Sequence, residues 1–170
     1  MPMKPRKDSL TIIKDHWDQM PVPVEKIAAE IGLGPVYEAM PEGISGAIRR
    51  KPDGDYEIVV NSLQGVQRQR FTIAHEIGHY IYHRDLLGRG TGDTLAFRAE
   101  GTRYPNPHIG PREEREANAV AANMLMPTHH IKALKAEGVT DPSAMAKRLG
   151  VSTPAMRIKL GLPPYPDLFG

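Results

Sequence analysis

HEIGHYIYH, residues 75–83, sets three histidines four residues apart, with a glutamate directly after the first. An α-helix advances about 100° per residue, so His75 and His79 lie one turn apart on the same face. The residues before them, Arg70-Phe71-Thr72-Ile73-Ala74, and after them, Tyr80-Ile81-Tyr82, contain neither a proline nor a turn cluster. Their apolar positions recur with helical spacing, which predicts one helix through the whole stretch. On that helix the carboxylate of Glu76 projects about 100° round from His75 and reaches a water on a shared ion more readily than the ion itself. This is the geometric logic of HExxH, in which two neutral imidazoles hold zinc and the glutamate takes a proton from the attacking water.

A catalytic zinc takes three protein ligands and keeps a position open, so a third ligand must exist. The chain has no cysteine, which leaves His, Asp or Glu. His83 lies two turns beyond His75 on the same rod, about 12 Å along the axis, and one straight helix cannot wrap three ligands round one ion. The longer HExxHxxGxxH pattern is excluded because Tyr82 and Asp85 occupy its offsets. His83 is expected as a supporting or helix-terminal residue. A better source is PREEREANAVAANMLMP, residues 111–127. Pro111 suits a first helical turn, acidic residues follow it, and Pro127 must stop the helix. Glu114 and Asn118 share a face with the small Ala117, Ala121 and Ala122, which permit close helix approach. That pairing suits Glu114 as ligand and Asn118 as the group that holds the other ring nitrogen of a zinc histidine. Glu113 and Glu116 compete for the ligand role, although the dipole of the first turn also accounts for them.

RFTIAHEIGHYIYH (70–83) followed by EREANAVAANMLMP (114–127) resembles the ImmA/IrrE family of metallo-endopeptidases, a gluzincin-like group. PVPVEKIAAEIGL, GISGAIRR and YEIVVNS upstream resemble that family's lead-in, so the similarity runs from Pro21 to Pro127 and extends toward Leu162. It implies Zn2+ held by His75, His79 and Glu114, with Glu76 as the catalytic base. Departures fall at Val120, where the family often has Phe, and at Asn123, where it often has Glu. Both lie away from the implied ligands.

At 170 residues with a formal charge of +2, the chain is expected to form one domain with small appendages, and its charge alone points to no nucleic acid. The expected division is a helical lead-in over 1–20, a metallopeptidase core over 21–127 and a helical extension over 128–170. No apolar run is long enough to span a bilayer, and MPMKPRKDSL is polar and proline-broken, so a cytoplasmic protein without membrane contact is expected. The expected class is α+β. Helices over Ser9–Met20 and Val22–Ile31 precede short strands over Pro35–Met40, Ser45–Arg50 and Tyr56–Asn61. These strands form a small, mostly antiparallel sheet packed with the helical zinc core, and C-terminal helices follow. An exposed sheet edge could bind extended substrate by strand addition. Residues 85–110, punctuated by Gly and Pro, are expected as a flap between the two zinc helices. A donor for the developing oxyanion could come from Tyr104, His108, His129, His130 or Arg70, which the sequence does not separate.

Asp141 to Leu162 reads as helix, Gly-Val-Ser turn, helix, with Lys147, Arg148, Arg157 and Lys159: the grammar of a helix-turn-helix. The segment lacks Asn or Gln readers, so direct DNA binding is not expected. Met145 and Met156 are expected in the core. The resemblance implies a zinc endopeptidase acting on a few regulatory proteins, with an XRE-family helix-turn-helix repressor or an antitoxin as partner. The alternatives are the toxin half of a toxin–antitoxin pair, or a DNA-binding or sequestering regulator that works without proteolysis.

Overall fold

The computed structural model describes residues 8–88, 95–98 and 108–166. The chain opens with α1 (Ser9–His16), capped by Asp8, whose carboxylate accepts from the Thr11 N–H at 3.0 Å. This helix is shorter than the expected Ser9–Met20, because residues 17–20 turn toward Pro21 and the residue before a proline is kept out of the α region. For the same reason α2 (Val24–Ile31) starts behind Pro23 rather than at Val22; it ends at Gly32.

Strands β1 (Val36–Glu38), β2 (Gly46–Arg50) and β3 (Tyr56–Asn61) follow, and β4 (Leu95–Arg98) lies within the stretch expected as a flap. Most of that stretch falls outside the described residues. The sheet order is β1-β3-β2-β4. β2 runs antiparallel to both β3 and β4, whereas β1 runs parallel to β3, with Val36 opposite Val59. The α+β class is as expected, and the sheet is mixed rather than purely antiparallel. A parallel neighbour needs a crossover, and Asn61 organises it. Buried at the end of β3, Asn61 donates to the Ile44 carbonyl at 2.7 Å and accepts from the Met40 N–H at 3.2 Å, pinning the 39–45 connection.

Five helices complete the chain: α3 (Val66–Tyr82), α4 (Pro111–Leu125), α5 (Thr128–Ala136), α6 (Pro142–Leu149) and α7 (Thr153–Lys159). α3 packs on α2 and α4 and lies across β2 and β3. Gly46 sets how closely it can lie. A Cβ there would fall 2.5 Å from the Val59 carbonyl oxygen and 2.6 Å from the Thr72 methyl, so only glycine fits beneath the helix. Ile73 and Ile77 of α3 join Ile27, Ile48, Ile58, Leu125, Leu134 and Leu149 in one core, which reaches from Ile12 to Met156. Met145 and Met156 are buried in it, as their spacing predicts.

Candidate metal centre

α3 and α4 meet through small residues. A Cβ at Gly78 would stand 3.1 Å from the Val120 Cβ and 3.3 Å from the Ala117 Cα, so the two helices approach almost backbone to backbone. This contact brings Glu114, in the first turn of α4, across to the histidine face of α3. His75 is 4% exposed and His79 is fully buried, and their rings meet edge-on with centroids 4.8 Å apart. The His75 Nε2 lies 3.6 Å from Glu114 Oε2, and the His79 Nε2 lies 3.4 Å from Glu114 Oε1. One donor atom from each of the three residues falls within 4.8 Å of the others. Two donors bonded at about 2.0–2.1 Å to one tetrahedral ion stand about 3.3–3.4 Å apart, so the spacing suits a shared ion better than direct hydrogen bonds. Two imidazoles and a carboxylate form a donor set that a divalent metal fits. Glu76, on the same helix, is fully buried.

The three glutamates of α4 divide their work. Glu113 accepts from the Gly110 N–H at 3.1 Å and so caps its own helix. Glu116 turns to His83, with Oε2 3.2 Å from the His83 Nε2, while its Oε1 accepts from Arg112 Nε at 2.9 Å. These contacts, His83 first and Arg112 second, hold its carboxyl below the usual value. Only Glu114 faces the histidine pair. Asn118 is exposed, and the second ring nitrogen of His79 is held instead by His83, Nδ1 to Nδ1 at 2.8 Å. His83 is thus both the C-cap of α3 and a support for His79. The Glu116 partnership was not foreseen from the sequence. Its only local signal is the four-residue spacing of Arg112 to Glu116 and of His79 to His83.

Among the candidate oxyanion donors, Arg70 is committed elsewhere: it is buried and donates to the carbonyls of Val22 (2.8 Å) and Gly150 (3.2 Å). His129 pairs with Asp18 at 3.1 Å and sets its ring edge-on to Trp17, and His130 is buried beside it. His108 is exposed, and Tyr104 lies outside the described residues.

The Peptidase_M78 family model, the IrrE N-terminal-like domain, matches residues 36–160, well over half of the chain. The chain belongs to this family. As an IrrE N-terminal-like protein it carries a metallopeptidase fold, and the resemblance to ImmA/IrrE proteins is borne out. The match begins at β1 and ends just past α7, taking in the sheet, both metal-facing helices and the C-terminal pair. No curated protein matches the chain. A solved structure described as a Mycobacterium tuberculosis transcriptional regulator shares its fold at a TM-score of 0.57 and 16% identity, covering 95% of this chain and 48% of that one. The chain therefore spans about half the length of that regulator. Among the described residues, no helix of this IrrE N-terminal-like protein is long and apolar enough to cross a membrane.

Proposed function

We propose that the chain is a zinc-dependent endopeptidase that cleaves a specific regulatory protein, an XRE-family helix-turn-helix repressor or an antitoxin, in the cytoplasm. The observation that carries this reading is the spacing of His75 Nε2, His79 Nε2 and Glu114 about the position an ion would share. Two imidazole nitrogens and a carboxylate oxygen make a donor set that zinc hydrolases use, and these residues would hold the ion here. When bound, zinc supplies Lewis acidity toward the scissile carbonyl and makes water a usable nucleophile near neutral pH. The chain's own residues do the rest. His75 and His79 arrive on one rigid turn of α3, so their spacing needs no loop to hold it. Glu114 brings the compensating negative charge from α4. Glu76, one residue on from His75 and sheltered from solvent, takes the proton of the attacking water and returns it to the leaving nitrogen. The peptidase core is assigned to 21–127, with 1–20 as a helical lead-in and 128–170 as a helical extension.

The substrate class is carried over from family membership, the family match over residues 36–160 supporting it. Contacts of the C-terminal pair weigh against a DNA-binding reading. Arg148 pairs with Glu137 at 3.0 Å, Arg157 donates to the Pro163 carbonyl at 2.7 Å, and Lys159 donates to Asn123 at 2.8 Å. Three of its four basic side chains are thereby turned to the protein itself, and no row of cations is left to track phosphates.

The test incubates wild type and Glu76→Gln with a helix-turn-helix regulator encoded nearby, and reads fragments by mass spectrometry. Glu76→Gln keeps size and loses the base, so it should retain zinc and regulator binding while cleavage drops at least about 10²-fold. Equal release of the regulator by both proteins with no fragment overturns the peptidase reading in favour of sequestration or a non-proteolytic toxin.

A further inference from the structure

We propose that His83, the third histidine of the motif, is a positioning residue that fixes the tautomer of His79, and that Glu116 and Arg112 complete the relay enforcing it. The inference rests on the metal reading above and adds a role for residues outside the donor set. His79 turns Nε2 toward Glu114 and Nδ1 toward His83, so its two ring nitrogens serve different partners. A neutral imidazole carries one hydrogen. If Nε2 is to offer its lone pair to an ion, the hydrogen of His79 must sit on Nδ1, and it then points at the His83 Nδ1 2.8 Å away. His83 must accept there, which places its own hydrogen on Nε2. That nitrogen faces the Glu116 carboxylate at 3.2 Å, an acceptor with no hydrogen to offer when ionised. Glu116 is held in place by the Arg112 guanidinium at 2.9 Å.

The direction of every hydrogen in the chain is therefore set from its outer end. Arg112, which can only donate, orients Glu116. Glu116, which can only accept, selects Nε2–H on His83. The bare Nδ1 of His83 in turn selects Nδ1–H on His79 and leaves His79 Nε2 free of hydrogen. Reversing either imidazole alone would leave two hydrogens, or two lone pairs, facing one another at the buried His79–His83 contact, since His79 is fully buried and His83 is 6% exposed. A carboxylate behind a metal histidine is a recurring device, and here a second imidazole is interposed to span the distance from α3 to α4.

Zinc affinity of the full chain, measured by competition with a chelator, tests this without reference to peptidase activity. Against wild type, His83→Leu should weaken zinc binding by about 10–100-fold, whereas His83→Asn, whose side-chain oxygen can accept the same hydrogen, should stay within about threefold. Equal losses in both variants would mean that His83 acts by packing alone, and no loss in either would mean that His79 needs no partner. Imidazole nitrogen spectroscopy of zinc-loaded wild type should show hydrogen on the Nδ1 of His79 and on the Nε2 of His83; hydrogen on the Nδ1 of His83 overturns the relay. Wild type that binds no zinc at all would instead sink the metal reading, and His75→Ala, which should lose the ion, marks that difference.

Discussion

His130 shows how one buried side chain can govern acid tolerance away from the His75, His79 and Glu114 cluster. It sits on α5 with 2% of its surface exposed, its ring edge-on to His129. Burial first, and the charge of His129 second, hold its imidazole below the usual value of 6.5, while the Asp18 carboxylate and the Trp17 and Asp18 backbone oppose them by less. In the fold this ring stays neutral at a pH where the unfolded chain has taken up a proton. The unfolded state thus binds more protons below 6.5, and stability that is fully present above that value is lost as pH falls through the depressed folded value. The melting temperature should decline from 6.5 downward, and His130→Leu should flatten that decline. Glu116, also depressed, acts in a lower window beneath 4.5, so the two effects separate on the pH axis. An unchanged slope between about pH 6.5 and 5 in His130→Leu would place the sensitive group elsewhere.

At the scale of the element, the α3–α4 contact at Gly78 is the feature on which the donor geometry hangs. Gly78→Val would press two methyl groups into Val120 and the Ala117 backbone, where even a bare Cβ is tight. It should cost about 1–3 kcal/mol in urea unfolding of the metal-free protein and weaken zinc binding by shifting Glu114. Retention of both stability and zinc affinity would show that α4 does not need so close an approach. This contact also marks what the sequence could and could not disclose. The placing of His75 and His79 on one helical face and the limits of α4 were legible because they obey local rules, helical spacing and a proline at each end of α4, whereas α3 begins at Val66, four residues before the stretch from Arg70 read as helical. The end of α1 and the start of α2 fall a few residues inside the expected spans, where Pro21 and Pro23 shape the chain before them, while α2 ends at Ile31 as expected. The parallel pairing of β1, the burial of Arg70 against distant carbonyls and the turn of Glu116 toward His83 were not legible. Each depends on which surfaces meet once the helices and sheet have packed, and no short window of sequence records that.

Over the whole molecule, the N-terminal and C-terminal elements are tied to α3 rather than strung beside it. Arg70 of α3 reaches Val22 before α2 and Leu149 and Gly150 at the C-terminal end of α6, so one guanidinium gathers three segments of the chain. The donor set does something similar between α3 and α4. An ion shared by His79 and Glu114 would close the stretch of residues 80–113 on itself, which is the topological work of a disulfide, in a chain that has no cysteine. Because such an ion binds the fold and leaves when the chain unfolds, it stabilises the folded state by an amount set by its free concentration relative to its dissociation constant. Chelation should therefore lower the melting temperature, and added zinc should restore it; a midpoint that stays put as zinc leaves would show that the helices clasp unaided. Unlike a covalent cross-link, this one is governed by mass action, so its strength follows the free ion concentration. If zinc is the ion held there, the protein's resistance to unfolding, and with it its lifetime among cellular proteases, becomes a gauge of zinc supply.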